Sequence, residues 1–379
     1  MPPTVKNYQE NSPFASKVSR FNPDFCPMKT ERNCILIGGG LSGLALAYLL
    51  TKEGVATTIL EASDRLGGRI QTLTGPLGTP LELGATWFSD VHTHLLALLS
   101  ELGLPKYPQH SGGISLFQTK SFEPPQAFFV PAADNPSYRL AGGTQRLIDK
   151  LAQTLPPQSI RLNTPVRAIN QSGDLLSVEL ADGSALQAHQ VICCLPPQLA
   201  ASRIQFSPAL PEMIAKLLPT VQTWMAGSIK FVLEYDEPFW RQAGYSGMLY
   251  SHAGLVTEMY DHTNLEQNRF GFTGFLNGSA VAYSPEVRRE FVLRQLGELF
   301  GPKAAQPSAY VDKVWNDEYV LAGSPVILRP HQHNGHPALQ AGYMDNRLHF
   351  CGTETASAFG GYMEGAVMAA RSVAERVLG

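Results

Sequence analysis

Cys34-Ile35-Leu36-Ile37-Gly38-Gly39-Gly40-Leu41-Ser42-Gly43 is the stretch that decides how this chain folds. Four apolar residues read as a short buried strand, and Gly38, Gly40 and Gly43 follow in the spacing Gly-x-Gly-x-x-Gly. An apolar helix is expected from Leu44 to about Lys52, then a second β-rich run from Val55 to Leu60 that closes on Glu61. Strand, glycine turn, helix, strand and acid within one ~30-residue unit form a dinucleotide-binding pattern. Each glycine has a mechanical reason. Gly38 allows the tight turn, Gly40 lets the backbone approach a pyrophosphate, and Gly43 lets the helix pack close to the strand. Leu41 and Ser42 lie within the turn, and the start of the helix that follows offers free N–H groups and a positive dipole end to the phosphates. Glu61 stands where a carboxylate accepts from ribose hydroxyls.

The remaining composition is that of an enzyme-like globule. At 379 residues the chain is long enough for a large core or two domains. A formal net charge of -3 argues against a nucleic-acid partner, which needs a concentrated basic face. No apolar run approaches the roughly 18 residues that span a bilayer, so no membrane partner is expected. Five cysteines are too few and scattered for a disulfide framework, and a cytoplasmic location with reduced thiols is expected. Residues 1–30 are polar and proline-punctuated and read as a flexible lead-in, although Phe14, Phe21 and Phe25 could pack onto the body.

Downstream of Glu61, the run Ala62-Ser63-Asp64-Arg65-Leu66-Gly67-Gly68-Arg69 is a second glycine turn carrying two arginines. It suits a cofactor clamped from a second side. Here the chain resembles the flavin-containing amine oxidases, the monoamine oxidase family of FAD-dependent oxidoreductases, in which the turn matched by Gly67, Gly68 and Arg69 contacts FAD. The resemblance runs from about Asn33 to the C-terminus. It covers Gly84-Ala85-Thr86-Trp87, beside the flavin ring in the family, and Val166, whose backbone reads the adenine. Lys230 matches the family lysine that holds a water against flavin N5. Gly352 and Glu354 match the segment at the ribityl-phosphate region, and Gly361, Tyr362 and Met363 match the start of the last cofactor helix.

This resemblance implies an α/β, two-domain, FAD-binding Rossmann-type fold with a discontinuous mixed-sheet substrate domain. The FAD domain is expected from 31–91, 140–218 and 320–379, and the substrate domain from 92–139 and 219–319. It also implies oxidation of a small-molecule amine to an imine, with O2 as acceptor giving H2O2. Lys230 and Tyr362 are the expected catalytic residues. Three departures stand out. Ser324 occupies the position of the cysteine that carries covalent flavin in some members, so FAD is expected to be non-covalent. Pro325 replaces one tyrosine of the aromatic pair around the amine, leaving Tyr362 as the other wall. The proline-rich stretch from Leu104 to Tyr138 replaces a longer helical insert, which suggests a more open site.

Other signals carry less. His331, His333 and His336 lie in a loop without accompanying thiolates or carboxylates, so no metal is expected. Cys193 and Cys194 read as buried thiols. Most of Trp224, Phe231, Phe239, Trp240, Phe270, Phe272 and Phe275 read as core. Glu258, Asp261 and Asp317 could anchor the far amine of a diamine but read by default as solvated loop positions. Two rival functions remain: a related flavoprotein desaturase or dehydrogenase of a pigment, porphyrinogen or secondary metabolite, and a partner-dependent flavoprotein without turnover.

Overall fold

In the computed structural model, residues 33–316 and 329–379 are described. Expectations placed on Phe14, Phe21, Phe25, Asp317, Ser324 and Pro325 lie outside those residues.

The opening strand Asn33–Ile37 sits at the centre of a five-stranded parallel sheet, ordered Leu348–Phe350, Gln190–Cys193, Asn33–Ile37, Ala56–Leu60, Ile160–Arg161. Strands so placed are covered on both faces, which is why Ile35, Leu36, Ile59, Val191 and Ile192 form near-continuous apolar runs and are almost fully buried. One face is covered by the helices Leu41–Lys52 and Met363–Leu378, whose Leu44, Leu46, Val367, Ala370 and Val373 share one core. Val367, Ala370, Val373 and Val377, recurring at helical spacing, are the inward face of the last helix. The first and last chemically informative segments of the chain thus become neighbours.

A second, seven-stranded sheet is mixed: Ala309–Val314, Ile229–Tyr235, Phe270–Leu276, Val256–Asp261, Tyr245–Ser251, Gly113–Gln118 and Gln126–Val130 in that order. The pairing of Tyr245–Ser251 with Gly113–Gln118 is parallel and the others are antiparallel. Phe231, Trp240 and Phe272 fill its core with the helix Pro285–Phe300, as expected of those aromatics. Phe275 and Trp224 do not join that core, and both reappear at the site below. The Leu104–Tyr138 stretch holds no helix. It supplies the strand Lys106–Pro108 and the far-edge hairpin Gly113–Gln118/Gln126–Val130. A smaller sheet, ordered Ala185–Ala188, Leu175–Leu180, Val166–Ser172, Gln205–Ser207, flanks the parallel one.

Candidate active site

The glycine turn lies between the central strand and a helix that has no side-chain cap at Gly40. Its first N–H groups therefore lack a side-chain acceptor, which makes the helix start a ready anion site. Gly43 and Gly40 differ in what surrounds them. A Cβ on Gly43 would sit 2.1 Å from the Gly38 carbonyl oxygen, so the helix can approach the strand only without one. A Cβ on Gly40 would meet nothing closer than 4.0 Å, because that position faces an open cavity.

This cavity has a volume of about 730 Å³, in the range of small-molecule and cofactor sites. Gly38, Gly40, Leu41, Ser42, Glu61, Ala62, Gly67, Gly68, Arg69, Ala85, Val166, Gly352, Gly361, Tyr362 and Met363 all line it. Segments as far apart as 38 and 363 thus share one wall. Glu61 is held in place from two sides: Gly39 N donates to Oε2 at 2.6 Å, and Ser63 donates to Oε1 from its N at 2.9 Å and its Oγ at 2.7 Å. Oε2 keeps a lone pair for a further donor in the cavity, whereas both lone pairs of Oε1 are taken up by Ser63. Arg65 props the second turn by donating to the Gly68 carbonyl at 2.6 Å and the Ile70 carbonyl at 3.0 Å. Two helix N-termini that donate, a carboxylate that accepts and close-approach glycines together fit a dinucleotide.

Five expected cofactor residues, Gly43, Gly84, Thr86, Trp87 and Glu354, stand outside the cavity lining. Gly43 packs the helix, and Glu354 is wholly buried behind Arg69, which donates to it from Nη1 at 2.6 Å and Nη2 at 3.1 Å. Gly84 and Thr86 hold Lys230: its Nζ donates to the Gly84 carbonyl at 2.7 Å and to Thr86 Oγ1. Trp87, also outside the cavity lining, places its indole 4.9 Å from the same Nζ. Lys230 is only 2% exposed, on a strand paired on both sides. Burial pulls its pKa down to about 7, against the opposing pull of the Glu82 carboxylate.

Some contributors had no local signal. Thr353 Oγ1 accepts from Gly361 N and donates to the Tyr362 carbonyl, both at 2.8 Å, latching the loop before the last helix. Arg167 and Arg203 line the cavity from a strand and a short helix whose sequences announce nothing. Cys194 also lines it and is not a plain core thiol. A hydrogen bond with Cys351 and burial push its pKa well up, so it stays protonated. His331 is no bland loop residue either: its ring stacks on Trp224 at 4.5 Å and lies nearly parallel to Tyr362 at 6.0 Å. Glu258 and Asp261 are strand residues, not loop ones. Among the described residues, no group of three or more potential metal ligands occurs.

The family profile for flavin containing amine oxidoreductases matches residues 41–125 and 117–378. This chain belongs to that family. A flavin-containing amine oxidoreductase is an enzyme built around a flavin, and the cavity described above fits a dinucleotide. The match to the family divides at 117–125, inside the proline-rich stretch that the fold spends on an edge hairpin. The probable flavin-containing monoamine oxidase A of Dictyostelium discoideum is 26% identical over 457 residues, covering 92% of this chain and 98% of that one. Flavin-containing amine oxidase B of Bos taurus is 25% identical over 460 residues, covering 93% and 87%. Both aligned spans exceed the 379 residues here, so these relatives carry insertions within the shared region. Two solved folds are similar. A triple mutant of putrescine oxidase has a TM-score of 0.79 at 23% identity, covering 92% of this chain and 98% of that one. Cyclohexylamine oxidase from Brevibacterium oxydans has 0.78 at 22%, covering 92% and 100%. Among the described residues, no helix is long and apolar enough to cross a membrane.

Proposed function

We propose that this chain oxidises a small-molecule amine to an imine, which water hydrolyses to an aldehyde or ketone, using non-covalently bound FAD and reducing O2 to H2O2. The observation that carries the reading is the meeting of two features. A dinucleotide-shaped cavity is walled by Gly40, Glu61, Arg69 and Tyr362, and the Ala85 that also lines it belongs to the Gly84–Trp87 segment holding Lys230. FAD, when bound, supplies the two-electron chemistry that takes the hydrogen and electron pair from the amine carbon and passes electrons to oxygen.

The chain's own residues do the rest. Gly38 to Ser42 and the helix they open bind the phosphates, and Glu61 orients the ribose. The Tyr362 ring lines the cavity and offers the amine an aromatic face, and desolvation at that wall disfavours the ammonium, which lacks a free lone pair. Above pH 7 Lys230 is mainly neutral, so it can accept a hydrogen bond from a water beside the reacting carbon as well as donate one. Non-covalent attachment is supported by Ser324 in place of a nucleophilic cysteine and by the protonated Cys194 thiol.

The test is to load the protein with FAD and mix it anaerobically with a panel of primary and secondary amines. Bleaching of the visible flavin band by an amine, with recovery and peroxide on admitting air, is the expected result. Acid precipitation should leave all flavin in the supernatant. A protein that dithionite bleaches but no amine does would overturn the reading in favour of a desaturase or a partner-dependent flavoprotein.

A further inference from the structure

The seven-stranded sheet ends in an open edge. Lys230, Phe275, Glu258, Tyr250, Phe117 and Gln126 are successive register partners, so one row crosses the sheet from the lysine to its last strand, Gln126–Val130. Five interstrand spacings of about 4.8 Å put that strand roughly 24 Å from Lys230. It pairs with Gly113–Gln118 on one side, and among the described residues no strand pairs with the other. Edge strands are ordinarily protected by charge, proline, a bulge or a cover. Gln126-Ala127-Phe128-Phe129-Val130 has neither charge nor proline, and its pairing runs without a register shift. Phe128 is 41% exposed and Phe129 74%, and Phe122 in the turn before the strand is 80% exposed.

The backbone sets what can cover this edge. Ile114 N donates to the Gly244 carbonyl at 2.9 Å, and the Gln118 carbonyl accepts from His252 N at 2.8 Å, so the even-numbered residues of Gly113–Gln118 face the neighbouring interior strand. Its odd-numbered residues therefore bond their partners Gln126, Phe128 and Val130, and Ala127 and Phe129 point their N–H and C=O groups outward. Pro125 and Pro131 stand three positions to either side of Phe128 and carry no N–H. The outward donors of this edge are thus placed symmetrically about Phe128. A second copy running antiparallel about a two-fold axis at Phe128 sets Ala127 of each chain opposite Phe129 of the other and closes four hydrogen bonds. The two prolines then oppose each other, where neither chain needs a donor. An uncharged strand also meets its own copy without like-charge repulsion.

We infer that the Gln126–Val130 edge is a self-association surface, to which a second copy of this chain adds its own edge strand antiparallel across a two-fold axis at Phe128. With about 200 Å² for each phenylalanine, the exposed parts of Phe122, Phe128 and Phe129 amount to about 400 Å² per copy. Two copies contribute about 800 Å², and the strand backbones bring the total near ~1,000 Å², the lower end for a specific interface. An interface of that size gives a dimer that forms and dissociates with concentration. The inference does not depend on the amine-oxidising reading.

The test is analytical ultracentrifugation of the FAD-loaded full chain from about 1 to 200 µM, a span that brackets a micromolar Kd. The average mass should rise from monomer toward dimer. Phe129→Lys changes a side chain that lies mostly in solvent, so melting and bound FAD should be unchanged while the protein stays monomeric throughout. The register is tested by cross-linking. Phe128→Cys should be locked as a covalent dimer by mild oxidation, because opposed positions of that kind have Cα atoms about 4.5 Å apart, within disulfide reach. Phe129→Cys should not, because its two copies stand diagonally, roughly 7–8 Å apart. A wild type that remains monomeric at the highest concentration overturns the inference. So does a dimer that survives Phe129→Lys, or one that Phe128→Cys fails to lock. Should Phe129→Lys melt early, the cross-linking pair decides alone.

Discussion

Arg69 and Glu354, 285 positions apart in the chain, are joined by two parallel hydrogen bonds of 2.6 and 3.1 Å, with the carboxylate fully buried and the guanidinium at the cavity wall. The pair ties the second glycine turn to the segment that precedes the last helix. Two walls of the cofactor cavity are thereby held at a set separation. Glu354 therefore acts through Arg69.

Glu354→Gln leaves the guanidinium with a weaker acceptor. Because Arg69 is part-exposed, water recovers some of the loss, and the expected destabilisation is about 2 kcal/mol. Chemical unfolding of the FAD-loaded protein reads it, together with flavin retained after gel filtration. An unchanged midpoint with full retention would show that the pair is dispensable.

Gly40 and Gly43 should separate binding from folding. Gly43→Ala drives a methyl into the Gly38 carbonyl 2.1 Å away, an overpacking worth about 1–3 kcal/mol in the melting transition. Gly40→Ala has 4.0 Å of room within the protein, so the unloaded fold should melt normally while flavin retention falls at least about tenfold, roughly 1.4 kcal/mol. Equal loss of stability in both variants would refute this division.

Glu61→Gln keeps the shape of the side chain but replaces a charged acceptor of the Gly39 and Ser63 donors with a neutral one. FAD affinity should weaken by about 1.5–3 kcal/mol, or roughly 10- to 100-fold in Kd. Quenching of free-flavin fluorescence during titration measures it. An unchanged Kd would exclude Glu61 from the ribose site.

Lys230 carries a pH signature. Its folded pKa of about 7 lies below the ordinary lysine value, so below pH 7 the native state bears a buried charge that the unfolded state keeps in water. That penalty is relieved as pH rises from about 7 toward 10.5, by at most about 1.4 kcal/mol per pH unit. The stability of wild type relative to Lys230→Met should therefore climb across that window and be flat below it. Parallel pH profiles of the two melting temperatures would refute the shift. Lys230→Met should also lower amine turnover at least about tenfold, roughly 1.4 kcal/mol in barrier, with FAD still bound.

The cofactor half of the site was largely legible in the sequence, because its logic is local. Gly38, Gly40, Gly43 and Glu61 belong to one strand–helix–strand unit, and their spacing alone sets what the backbone can approach. The substrate half was not. Lys230 taken by itself resembles an exposed edge lysine, yet the fold puts strands on both sides of it and covers it with Gly84, Thr86 and Trp87. Glu258 and Asp261 are three positions apart and alike in the sequence. Only packing shows that Asp261 is neutralised by Arg241 while Glu258 meets phenols.

Local spacing was sufficient for the strand–helix–strand unit and its glycine turns, since a tight turn or a free helix start depends on residues within a few positions, and the resemblance of motifs along the chain pointed to the family. The tertiary structure alone decided the Arg69–Glu354 pair, the burial of Lys230 and the row from Lys230 through Phe275 to Glu258. The physical reason is common to all three. A charge or a ring acquires its chemical character from what desolvates and faces it, and here those neighbours come from strands and turns far away in the chain.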